Sequence, residues 1–129
     1  MLKQPRDAAT EQSRQTGWHL KELMERIDGD GEFLRELLVI FRADARMNLE
    51  KSRQAMAEHD LESLSRTAHT LKGMLRNLSM GVAADTAAAL EMASRENRQD
   101  DFKELLEKLL KELGRILLEV EAHLAEVRT

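Results

Sequence analysis

His69 is the side chain of this 129-residue chain whose surroundings could support chemistry. It lies in a segment, Leu61 to Leu78, with apolar residues at helical spacing. On a helical wheel of about 100° per residue, Leu64, Leu71, Leu75 and Leu78 form one arc. Met74 and Thr67 flank one edge of that arc, and Ala68 and Leu61 the other. His69 falls nearly opposite its centre, in the company of Glu62, Ser65, Arg66, Lys72, Gly73 and Arg76. The spacing therefore predicts an imidazole in solvent, halfway along a helix, beside three solvated cations: Arg66, Lys72 and Arg76. Cations disfavour the imidazolium and hold the ring neutral near pH 7. A neutral imidazole is a nucleophile, and the same cations would stabilise an anionic group attached to it. Gly73 is unexpected inside a helix, where it costs about 1 kcal/mol relative to Ala. It lies one turn after His69 and leaves space over the ring. A single exposed histidine among charges is more often a solvated surface residue. The wheel alone leaves both readings open.

The other chemistry-bearing residues are less well placed. His19, His59 and His123 have no second histidine three or four residues away, so none forms a metal pair on one helix face. His19 and His123 read as solvated, and His59 as part of a helix end. Asp28-Gly29-Asp30-Gly31-Glu32 has the acidic residues of a calcium loop, but Phe33 stands where that loop requires Gly. No phosphate-cradling glycine motif is present, and zero Cys removes thiol chemistry and thiolate metal sites. A net charge of −4, three Phe and one Trp argue against a nucleic-acid binder. The polar start has no signal-peptide core. The longest aliphatic and aromatic run, Leu37 to Phe41, is far too short to span a bilayer. These features predict a cytoplasmic protein without direct membrane contact.

The elements that must carry His69 are helices. The only Pro is Pro5, and Leu, Ala, Met, Glu, Lys and Arg dominate. Residues 1–16 lack periodicity and read as a flexible tail, leaving one domain over 17–127. Leu20, Leu23, Met24 and Ile27 predict a short helix over 18–27, ended at Gly29, with Asp30 capping the next. A long helix from about 32 to 58 should bury Leu34, Leu37, Phe41, Ala45, Leu49 and Met56, with Leu38 alongside. Asp60 caps the motif helix, and Ser79-Met80-Gly81 turns the chain, with Gly81 supplying the flexibility. An Ala-rich helix follows over 82–95. A last helix opens on Asp101 and Glu104 as a capping box and carries Phe102, Leu106, Leu109, Leu113, Ile116, Val120, Leu124 and Val127 inward. Amphipathic helices joined by short connections predict an all-α fold: an antiparallel up-and-down four-helix bundle with a short additional N-terminal helix.

Ala68-His69-Thr70-Leu71-Lys72-Gly73, with Asn77-Leu78 following, resembles the signature of histidine-containing phosphotransfer (HPt) domains. The likeness extends over about 18–124. Met74 and Leu75 replace the small residues usual in the family, and Ser79 replaces a Gly. The resemblance implies that His69 accepts a phosphoryl group through Nε2 from a phospho-aspartate of a receiver domain and passes it to another response regulator. It further implies that Lys72 steadies the phosphoryl oxygens and that Gly73 gives the receiver room. Arg76 would be a second cation, and Ser65 and Arg66 would touch the partner. The receiver would supply the aspartate and Mg²⁺, so this chain would need no cofactor. The partners implied are receiver domains and a hybrid sensor histidine kinase, with no autonomous kinase activity in this chain. Two alternatives share these features: the phosphoacceptor domain of a chemotaxis-type histidine kinase, and a non-catalytic helical adaptor that binds receivers.

Overall fold

A computed structural model describes residues 17–127. The tail expected at 1–16 and the Val127 side chain lie outside the described residues. Five helices follow in order: α1 Leu20–Arg26, α2 Gly31–Ala57, α3 Leu61–Asn77, α4 Gly81–Arg95 and α5 Gln99–Val127. Helices α2 to α5 form an antiparallel ring in which each packs on the next and α5 closes on α2. The fold is the all-α helical bundle that the periodicity predicts.

Helix lengths shape one end of the bundle. α2 has 27 residues and α5 has 29, against 17 in α3 and 15 in α4. At about 1.5 Å per residue, the outer pair overhangs the inner pair by roughly 15 Å. α1 and Trp18 occupy that notch. Trp18 is fully buried and meets the His123 ring edge-on at 6.4 Å between centroids. Arg26 reaches across to the Asn77 carbonyl and Ser79 Oγ, both at 2.7 Å, and satisfies part of the open C-terminus of α3. Gly17 enters this end at φ +72, with Val82 so close that a Cβ would come within 2.6 Å of it. His123 is thus a packing residue, not the solvated one its sequence context suggests.

The helix ends share one solution. Asp28, His59, Ser79 and Asn97 all take positive φ, between 53° and 60°. At each, the following N–H reaches a carbonyl five residues back: Gly29 to Met24, Asp60 to Ala55, Met80 to Leu75 and Arg98 to Ala93. These are Schellman ends built on non-glycine residues. Two sequence expectations change here. Asp28 takes the first left-handed position ahead of Gly29, and Gly81 is the first residue of α4, so Ser79 and not Gly81 reverses the chain. Asp30 and Asp60 cap α2 and α3 by accepting from the Phe33 and Ser63 amides. The Ser63 hydroxyl also donates to Asp60 at 2.7 Å, and these bonds hold the Asp60 carboxyl below its ordinary value. The capping box at Asp101 does not form. Asn97 turns the chain so tightly that α5 restarts at Gln99, which places Asp101 inside its first turn.

The inward stripe of α2 is also displaced. Leu34, Leu38, Phe41 and Ala45 are buried as spacing predicts, but Asn48, Ser52 and Ala55 continue the line while Leu37, Leu49 and Met56 flank it. Polar residues enter this face because they find partners. Ser52 Oγ lies 2.9 Å from the Asn48 carbonyl and 2.9 Å from Thr67 Oγ1 of α3. Buried polar groups are tolerated when satisfied, and this bond sets the register of α3 on α2.

Candidate functional site

Leu64, Ala68, Leu71 and Leu75 are buried along the inner face of α3. That burial fixes the rotation of the helix, and rotation turns His69 outward with 62% of its side chain exposed. Nδ1 of His69 lies 2.9 Å from Oε2 of Glu91 on α4. Glu91 is nearly buried, with 6% of its side chain exposed. Its Oε1 accepts from Lys72 Nζ at 2.7 Å, and Arg95 Nη2 reaches Oε2 at 2.9 Å. One carboxylate from α4 therefore gathers the histidine, a lysine and an arginine.

The protonation pattern follows from this geometry. Burial pushes the Glu91 carboxyl up. The Lys72 and His69 hydrogen bonds and the charges of Lys72 and Arg95 outweigh it and leave the group below its ordinary value. An ionised carboxylate only accepts, so Nδ1 carries the hydrogen of this bond. In the neutral ring Nε2 then holds the lone pair. Among the described residues Nε2 has no hydrogen-bond partner. The site presents an oriented imidazole whose outer nitrogen, Nε2, faces away from Glu91.

The other sequence-predicted residues fall as follows. Ser65 and Arg66 line a groove of about 610 Å³ between α3 and the end of α4, together with His69, Leu61, Ser94 and Arg95. Arg66 bonds Glu62 at 3.2 Å, both side chains being well exposed. Arg76 is exposed one turn beyond Lys72. Gly73 is exposed, and a Cβ there would meet no atom within 4 Å. Internal packing therefore does not require glycine at 73. The same holds at Gly114, a second mid-helix glycine, in α5. Lys72 is not solvated as the wheel suggests: only 20% of its side chain is exposed, because it folds against Glu91.

Glu91 and Arg95 were not legible as site residues. The available signal was a lone carboxylate on the inner face of an Ala-rich helix, four residues after Ala87 and next to Leu90. Such a group must find cations or lose its charge. Which cations it finds depends on how α4 docks on α3.

Residues 36–129, most of the chain, match the family model of the Hpt domain. The chain belongs to the Hpt domain family. Comparisons with curated proteins and with solved structures gave no match. Hpt domains serve phosphotransfer in two-component signalling and interact with receiver domains and kinases, and the all-α bundle agrees with that membership. Among the described residues of this Hpt domain, no helix is long and apolar enough to cross a membrane.

Proposed function

We propose that this Hpt domain is a phosphorelay intermediate of the cytoplasm, with His69 as the phosphoacceptor. The observation that carries the reading is the Glu91 bond to Nδ1, which leaves the Nε2 lone pair directed away from the protein. In the proposed step Nε2 attacks the phosphorus of a receiver's aspartyl phosphate. The N–P bond forms, the P–O bond to aspartate breaks, and the carboxylate departs with that electron pair. Nδ1 keeps its hydrogen throughout, and Glu91 balances the positive charge that develops on the ring. The reverse step delivers the phosphoryl group to a second receiver. Such transfers need alignment and charge neutralisation more than acid–base chemistry.

The chain's own contribution is then specific. α3 presents the ring and Glu91 fixes its orientation. Lys72 and Arg95 stand within reach of the same carboxylate, so they keep cationic charge beside the phosphoryl oxygens. Gly73 leaves the helix surface low where the receiver must approach, and Ser65, Arg66 and Arg76 line the path of docking. The Mg²⁺ and the aspartate belong to the receiver, and this chain takes no cofactor. The partners are response-regulator receivers and a hybrid sensor kinase.

Incubation with a receiver charged by a small acyl phosphate tests the reading. Acid-labile, alkali-stable label should pass to the wild-type chain, and His69→Gln should abolish it. Label that persists in His69→Gln would refute the assignment. A chain that binds receivers equally well with and without His69, and is never labelled, would be an adaptor.

A further inference from the structure

Two donors share one oxygen of Glu91. His69 Nδ1 and Arg95 Nη2 each lie 2.9 Å from Oε2, so these two nitrogens are within twice that distance of each other. Lys72 takes the other oxygen, Oε1, at 2.7 Å. The two cations also differ in how firmly they are held. Lys72 has 20% of its side chain exposed, whereas Arg95 has 67% exposed and lines the groove beside His69. The other charges on this face of α3 are Glu62, Arg66 and Arg76, and Glu96, next to Arg95, is paired with Arg98. Among the described residues no charged group of α2 or α5 pairs with His69 or Glu91.

Sharing matters most once the ring is charged. In the proposed relay Nε2 carries the phosphoryl group while Nδ1 keeps its hydrogen, which makes the ring a cation. That hydrogen decides how easily the N–P bond breaks. With it in place, the electron pair of the bond returns to Nε2 and a neutral imidazole leaves. Without it an imidazolate would have to leave, and the phosphoryl group stays. Glu91 favours the protonated ring, because an opposite charge at hydrogen-bond distance stabilises it. A guanidinium on the same oxygen does the reverse. It repels the ring cation and neutralises part of the carboxylate's charge.

We infer that Arg95 is a positioning residue that sets how long the phosphoryl group is stored, by competing with the imidazole for Oε2 of Glu91. Lys72 holds the opposite oxygen and keeps the carboxylate in place. Arg95 weakens the hold of that carboxylate on the Nδ1 hydrogen. The phosphorylated ring therefore gives up this hydrogen at a lower pH than Glu91 and Lys72 alone would allow. Loss to water is slowed accordingly. In that loss a water oxygen attacks phosphorus and the N–P electron pair returns to Nε2. Both water hydrogens leave with the phosphate, and the ring is left neutral. The inference rests on His69 as the phosphoacceptor.

The full chain is labelled with phosphoramidate, an N–P donor that needs no receiver, and the His69 ring is followed by 1H–15N NMR. Decay of the phosphohistidine is measured from about pH 5 to 9, where Glu91 stays ionised. The wild-type rate should fall through a midpoint as pH rises. Arg95→Gln, which removes only the charge, should raise that midpoint by about half a pH unit and speed decay near pH 8 about threefold, solvent screening limiting the effect. Arg95→Lys should restore the wild-type profile, since a lysine four residues after Glu91 reaches the same carboxylate. Glu91→Gln should move the midpoint the opposite way. An unchanged midpoint in Arg95→Gln overturns the inference, and so does a failure of Arg95→Lys to restore the profile. A change by the same factor at every pH also overturns it, because it marks a direct bond from Arg95 to the phosphoryl oxygens. If a charged receiver labels nothing, the relay reading falls while this comparison still stands. A His69 that phosphoramidate also leaves unlabelled overturns both.

Discussion

Glu91 gathers His69, Lys72 and Arg95 around one carboxylate. A nearly buried carboxylate with three cationic or donating partners is stable only while they remain. Lys72→Ala should therefore lower stability by about 1–2 kcal/mol, more than a solvated lysine would, since it removes one of Glu91's partners. The melting temperature of the variant measures this, and Lys72→Arg should recover most of it. Acid titration gives a second check. The folded-state pKa of Glu91 lies below its ordinary value. Its stabilising contribution is thus present above the unfolded carboxyl pKa of about 4.3 and is lost as pH falls through the lower folded value. Between pH 5 and pH 2 the wild type should lose stability more steeply than Glu91→Gln, as followed by thermal melts. Parallel curves would show that the carboxylate contributes nothing through its charge. The same Gln variant should slow phosphotransfer, because a neutral amide no longer balances charge on the imidazole.

At the scale of the element, α3 carries a conflict between helix stability and surface shape. Gly73 is helical and exposed, and nothing in the chain fills the space a Cβ would take. Gly73→Ala should raise stability by about 1 kcal/mol through helix propensity. A longer side chain, as in Gly73→Gln, should keep that stability and slow transfer from a charged receiver. Chemical denaturation and single-turnover labelling separate the two effects. If Gly73→Gln transfers at the wild-type rate, glycine at 73 serves no docking partner. Ser79 shows how the same helix ends without the family's usual glycine. It adopts φ 60°, and its hydroxyl bonds Arg26 at 2.7 Å. The contact with α1 offsets a conformation that L-residues otherwise avoid.

At the scale of the whole molecule, the two short helices bear the site and the two long ones build the frame. The overhang of α2 and α5 creates the notch that Trp18 and α1 fill. Trp18→Ala should cost about 3–5 kcal/mol, because a fully buried indole leaves a cavity. His69 stands at the middle of α3, about two turns before the capped end at Asn77, so phosphotransfer per folded molecule should change little. A melt together with labelling below the transition distinguishes the two. Equal losses in both would mean that the N-terminal cap reaches into the site. The legible part of the fold follows the same division. Amphipathic periods of α3 and α5 are strong enough to read directly. The stripe of α2 is misread by one register because Asn48 and Ser52, polar by type, are buried by partnership. α5 begins two residues early because a tight left-handed Asn97 leaves no room for a capping box.

The sequence by itself determined the helical class, the order of the helices, the caps at Asp30 and Asp60, and the outward direction of His69. Each of these rests on residues close together in the chain, where helical spacing and local hydrogen bonding decide the outcome. Only the tertiary structure decided what the imidazole faces. Glu91 is 22 positions away and meets His69 because α4 docks on α3 with its small alanines inward. That docking reverses one local inference. The wheel surrounds His69 with solvated cations, whereas packing supplies a carboxylate to Nδ1 and draws Lys72 in beside it. Close approach of two helices brings together groups that no spacing rule relates.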